Sequence, residues 1–83
     1  MVGLSNMPRV KLNLYAGLRA HIGGKPSVDL EIEPGQTVGE LLDRLGVPRG
    51  QTRILFVNSR AAALSDKLTG GEQIGVFPAI GGG

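Results

Sequence analysis

Apolar and polar residues alternate twice in the first part of the chain. Val10-Lys-Leu-Asn-Leu14 and Val28-Asp-Leu-Glu-Ile32 each set an aliphatic side chain at every second position, with polar or acidic ones between. A period of two is that of a strand with one face buried, and strands so near in sequence pair most simply as antiparallel neighbours. Between them, Leu18 and Ile22 have the spacing of a short helical stretch, which Gly17 weakens and Gly23-Gly24-Lys25-Pro26 ends. The period changes after Pro34-Gly35. Thr37-Val-Gly-Glu40 has the form of a capping box, in which the Thr and Glu side chains satisfy free amides at a helix start. Val38, Leu41, Leu42 and Leu45 then form one apolar stripe at helical spacing, with Glu40, Asp43 and Arg44 on the solvated side. Gly46 suits a left-handed helix end, and Pro48 bars continuation.

The second half is richer in strands. Ile54-Leu-Phe-Val57 is apolar throughout and reads as a strand covered on both faces. Asn58-Ser59 and Thr69-Gly70-Gly71-Glu72 read as turns, Arg60 to Ala63 as a short strand, and Gln73-Ile-Gly-Val-Phe77 as the last strand. This order predicts an α+β fold, a mixed sheet of roughly four or five strands with one main helix on one face. That is the ubiquitin-like β-grasp arrangement; periodicity alone also fits an OB barrel, but the strong helix after the second strand favours the β-grasp. The helix stripe would pack on Val10, Leu12, Leu14, Val28, Leu30, Ile32, Ile54, Phe56, Ile74 and Val76. Leu55 and Val57 would then point to the open side of the sheet, joined by Phe77 and flanked by Arg53 and Arg60. Such a patch is either a partner-binding surface or is covered by loops and the N-terminal lead-in.

Composition narrows the chemistry. At 83 residues the chain is read as one small domain, with a loose lead-in at 1–8, a folded unit at 9–77 and a flexible tail at 78–83. With no cysteine there are no disulfides, thiolate nucleophiles or thiol-rich metal sites. The lone histidine, His21, leaves no imidazole set for a metal or a triad. The expectation is a non-catalytic protein with no bound cofactor or metal. A net charge of +2 arises from Lys and Arg spread along the sequence, whereas nucleic-acid binders concentrate cations on one face among stacking aromatics. No nucleic-acid partner is expected. Apolar runs are far too short to span a bilayer, and Met1 to Pro8 lacks the apolar core of a signal peptide, so the expected location is the cytoplasm, off the membrane.

The C-terminus is the unusual part. From Gln73 to Gly83 no side chain is charged, and the last residues are Pro78-Ala-Ile-Gly-Gly-Gly83. Composition alone also fits a frayed end without a role. The functional reading rests on shape. The stretch from Pro78 to Gly83 reaches roughly 20 Å when extended, and glycine, having no Cβ, lets a narrow channel close around backbone alone. Entry into such a channel desolvates a single charge, the terminal carboxylate, a penalty that cations or amides of a partner offset. A carboxylate is a poor electrophile. Adenylation by ATP would turn it into an acyl phosphate anhydride with a good leaving group.

The segments Val57-Asn-Ser-Arg60 and Leu68-Thr-Gly-Gly-Glu-Gln-Ile-Gly-Val-Phe-Pro-Ala-Ile-Gly-Gly-Gly83 resemble those of the MoaD/ThiS ubiquitin-like sulfur-carrier family, most closely the small subunit of molybdopterin synthase. Leu14-Tyr-Ala-Gly-Leu-Arg19 and Thr37-Val-Gly-Glu-Leu-Leu42 are similar to that family's opening and main helix. The likeness covers Val10 to Gly83, and the Phe-Pro-Ala-Ile-Gly-Gly run is its specific part. The resemblance implies that a ubiquitin-activating-like adenylyltransferase uses ATP to adenylate the terminal glycine. Conversion to a thiocarboxylate then lets the end donate sulfur in cofactor biosynthesis. Molybdopterin or tungstopterin is the first choice and the thiamine thiazole the second, since the chain is long for the latter and has an extra short helix. An acceptor enzyme such as the molybdopterin-synthase large subunit would receive the sulfur. The family's terminal pair falls on Gly82 and Gly83, so Gly83 bears the activated carbonyl. Gly81 and Gly82 keep the approach thin, and Phe77 and Pro78 anchor its root. The third glycine is a departure: if Gly82 were the working end, Gly83 would first be removed. Ser59 in place of the commoner turn glycine is a smaller one. A ubiquitin-like modifier joined to lysines uses the same adenylate and stays open as an alternative, as does a plain adaptor or small RNA-binding domain.

Overall fold

A computed structural model describes residues 7–78. The elements are β1 (Arg9–Leu14), a 3₁₀ helix (Ala16–Ile22), β2 (Ser27–Glu31), α1 (Val38–Arg44), a 3₁₀ turn (Arg49–Gln51), β3 (Ile54–Val57), β4 (Arg60–Ala61) and β5 (Gln73–Phe77). They form one five-stranded sheet in the order β2-β1-β5-β3-β4. The central pair, β1 and β5, is parallel, and the other neighbours are antiparallel. With α1 packed on one face, this is the β-grasp arrangement expected from the order of periods.

The helix forms as its sequence dictates. The Thr37 hydroxyl accepts from the Glu40 amide at 3.1 Å, and the Glu40 carboxylate accepts from the Thr37 amide at 2.9 Å, completing the capping box. At the other end the Val47 amide donates to the Leu42 carbonyl and the Gly46 amide to Asp43, with Gly46 at φ 78°. These two bonds make a Schellman cap, and the Val47 side chain that follows it is buried. Arg49 donates to both Asp43 carboxylate oxygens, at 2.8 and 3.2 Å, and holds that carboxyl below its ordinary pKa. The chain between β4 and β5 is stitched over the helix start, where the Val38 amide donates to Asp66 and the Gly39 amide to Leu64.

Among the described residues the buried core side chains are Val, Leu or Ile, from β1, β3, β5, α1, the first 3₁₀ helix and the connecting segments. Leu68 and Val47, which periodicity did not single out, are part of it. Val28 and Leu30 only pack against its margin, because β2 is an edge strand. Pro8 belongs to the body rather than to a loose lead-in: its carbonyl accepts from the Ile32 amide at 2.9 Å. Of the rest of that lead-in, Met7 is exposed and 1–6 lie outside the described residues.

One expectation is reversed. Residues paired across a ladder share a face, and β5 fixes the phase of β3. Ile74 and Val76 are buried beside Leu12 and Leu14 of β1, and across the other ladder they pair with Val57 and Leu55. Leu55 is therefore in the core at 8% exposure and Val57 packs against it, while Ile54 is 47% exposed and Phe56 faces the open side with Gly75. The apolar run of β3 carries no alternation of its own, so its phase is set by the neighbour. Among the described residues no helix is long and apolar enough to cross a membrane.

Candidate functional site

The last strand delivers the chain to the candidate site. In β5, Phe77 alternates outward from the buried Val76. Its backbone is fastened from both sides: the Arg53 amide donates to the Phe77 carbonyl at 2.9 Å, and the Tyr15 amide donates to the Val76 carbonyl at 3.3 Å. Pro78 follows, half-buried, as the root of the exit. The glycines expected to carry the chemistry, Gly81, Gly82 and Gly83, lie outside the described residues.

Phe77 is held by aromatic contacts. Tyr15 stacks on it face to face, with centroids 4.1 Å apart and planes 2° from parallel, and Phe56 meets it edge-on at 6.1 Å. The Arg19 guanidinium lies 5.8 Å from the Tyr15 centroid, and its Nε donates to the Leu14 carbonyl at 3.0 Å. Tyr15, Phe56 and Phe77 are the chain's whole complement of aromatic residues, and they gather on the side of the sheet away from α1. With Asn13, Ser59, Gln73 and Gly75 they line a shallow cavity of about 350 Å³. A Cβ on Gly75 would stand 3.7 Å from Tyr15 Cε2, so the missing side chain leaves that ring lying over bare backbone.

Two turns set the start of β5. Asn58 and Ser59 both adopt positive φ, 52° and 68°, as the primed turn of a two-residue hairpin requires. The Asn58 side-chain oxygen accepts from the Gln73 amide at 3.0 Å, and the Asn58 amide donates to the Gln73 carbonyl at 2.8 Å. The second turn is organised by Glu72. Burial pushes its carboxyl up, but the Thr69 and Gly70 amides and the Thr69 hydroxyl all donate to it, and the net effect holds it below the ordinary glutamate value. Gly70 is required there. At φ 127°, a Cβ would come within 2.7 Å of the Pro8 Cβ.

The residues expected to bind a partner are thus only partly brought together. Phe77 is on the open face; Leu55 and Val57 are turned to the core side. Arg53 and Arg60 are exposed, and Arg60 pairs with Val57, on the helix side of β4 rather than beside Phe77. In their place the open face carries Ile54, Phe56 and Tyr15. Tyr15 was legible as the residue out of phase with Leu14 at the end of an alternating strand. Phe56 was legible only by matching β3 to the phase of β5. The side chains that line the cavity beside the exit are aromatic, aliphatic, amide and hydroxyl groups, with the Arg19 guanidinium against Tyr15. Among the described residues no cluster of His, Cys, Asp and Glu is arranged to hold a metal.

A family model described as the ThiS family matches residues 12–83. Solved structures similar to this chain include the HVO 2177 protein of Haloferax volcanii, 20% identical, with a TM-score of 0.76 over 100% of this chain and 93% of that one. They also include the small archaeal modifier protein SAMP1 of the same organism, 25% identical, with a TM-score of 0.69 over 90% and 99%. A third is the complex of subunits 1 and 2 of the molybdopterin-converting factor from Helicobacter pylori, 16% identical, with a TM-score of 0.58 over 90% and 99%. No curated protein sequence gives a significant match.

Proposed function

The chain belongs to the ThiS family, and we propose that it is a sulfur carrier whose Gly83 carboxylate is adenylated and converted to a thiocarboxylate for cofactor biosynthesis. The observation that carries this reading is that the family match runs through the glycine run to Gly83. The fold supports it physically: β5 is locked into the centre of the sheet and ends at Phe77, so the segment beyond is offered from a rigid base. In this reading catalysis belongs to the partner. A carboxylate oxygen of Gly83 attacks the α-phosphorus of ATP, the bond to the β-phosphate oxygen breaks, and pyrophosphate leaves. Hydrosulfide then adds to the acyl carbonyl and AMP departs with the bonding pair, leaving a thiocarboxylate, with no oxidant or reductant consumed. Gly81 and Gly82 keep the approach free of side chains.

The first-choice recipient is an acceptor enzyme of molybdopterin or tungstopterin synthesis, analogous to subunit 2 in the Helicobacter pylori complex, with thiazole synthesis second. All of this takes place in the cytoplasm. The test is the intact mass of the full chain after incubation with ATP, the cognate activating enzyme and sulfide. The expected result is exchange of one oxygen for one sulfur at the C-terminus, dependent on ATP; an unchanged mass overturns the reading. The likeness to SAMP1 favours a second reading, conjugation through the same adenylate to lysines of other proteins. Recovery from host cells of lysine adducts, without any thiocarboxylate, would select it.

A further inference from the structure

We propose that Tyr15 is a positioning residue for the reactive end, acting through Phe77; this rests on the carrier reading above. Phe77 is the last residue of β5, and its backbone carbonyl accepts from the Arg53 amide on the β3 side. Its side chain is held by the parallel stack of Tyr15 at 4.1 Å, with Phe56 edge-on at 6.1 Å, and the stack braces the residue from which Pro78 leaves. The stack is built, not incidental. Tyr15 is extended, at φ −121° and ψ 151°, and the next residue, Ala16, takes a left-handed φ of 55° that turns the chain off β1. A non-glycine residue adopts that conformation at a cost in strain. The turn is then secured by burial of Leu18 and by the Leu18 amide donating to the Tyr15 carbonyl at 3.2 Å. Arg19, bonded back to Leu14, lies against the same ring, and Gly75 gives the ring its floor.

Positioning of this kind matters because a reacting group on a tether is delivered only as well as the tether's root is aimed. Displacements of about an ångström far from the chemistry cost rates on the order of a hundredfold in well-organised sites, and loss of one aromatic stack costs up to about tenfold. A tenfold effect is the scale expected for its loss. Since Tyr15 lies outside the aliphatic core, its replacement should leave the fold intact.

The experiment compares Tyr15→Leu and Tyr15→Phe with the parent chain by two readouts. The first is backbone amide relaxation at Val76 and Phe77, which needs no enzyme. Tyr15→Leu is expected to loosen Phe77, and Tyr15→Phe to restore the parent values. The second is the kinetics of ATP-dependent thiocarboxylate formation. There Tyr15→Leu is expected to lower kcat roughly tenfold with KM changed less than about threefold, and Tyr15→Phe to stay within about twofold of the parent. Unchanged relaxation in Tyr15→Leu overturns the proposal whatever the kinetics. So does a loss confined to KM, which would make Tyr15 a docking contact. If the relaxation changes as expected but the parent chain itself gains no sulfur, the carrier reading fails and the aiming of the root by Tyr15 stands.

Discussion

At the scale of single residues, the two turns before β5 make the sharpest predictions. Glu72 accepts three hydrogen bonds from Thr69 and Gly70, and its pKa is lowered in the folded state despite partial burial. A carboxyl with a depressed folded pKa stabilises at pH above its unfolded value, and that contribution fades as pH falls through the folded one. Glu72→Ala should therefore lose about 1–2 kcal/mol near neutral pH, and the gap to the parent should close on acidification. Urea unfolding across the acid range measures it, and a gap independent of pH would contradict the assignment. Gly70→Ala should destabilise by about 2 kcal/mol or more, because it combines a forbidden φ with a backbone-anchored clash against Pro8. Denaturant midpoints of the two variants rank them directly.

At the scale of elements, the phase of β3 is the feature most worth testing. Leu55→Ala should cost about 2–5 kcal/mol as a core truncation, whereas Ile54→Ala should change stability by only about 0.5 kcal/mol. Equal losses at both positions would mean that the strand is not held in this register. The same strand shows where sequence reading stops. Strands β1 and β2 and helix α1 announce themselves, because each has one wet and one dry face and the period records which is which. Ile54-Leu-Phe-Val57 is apolar at every position, so nothing local says which pair faces α1; the answer sits in β5, across the ladder. Leu68 was equally unreadable, a single buried residue in irregular chain whose burial depends on the bonds that stitch the β4–β5 connection over α1. The candidate site was legible as a segment, Phe77 onward, but its aromatic setting was not. Tyr15 and Phe56 come together with Phe77 only when β1, β5 and β3 lie side by side.

At the scale of the whole molecule, the carrier reading predicts that body and tail are separable: removing Gly82 and Gly83 should leave the thermal unfolding midpoint unchanged while abolishing ATP-dependent sulfur loading, read by melting curves and intact mass on the same sample. A truncated chain that still accepted sulfur would place the reactive group elsewhere. The sheet order has a mechanical corollary. A machine that draws on the C-terminal string pulls β5 along its own length, between β1 on one side and β3 on the other. Tension applied that way strains both ladders in shear, spreading the force over every hydrogen bond at once, where a pull on the edge strand β4 would open its bonds one after another. The string can be tugged hard without unravelling the globule to which it is tied.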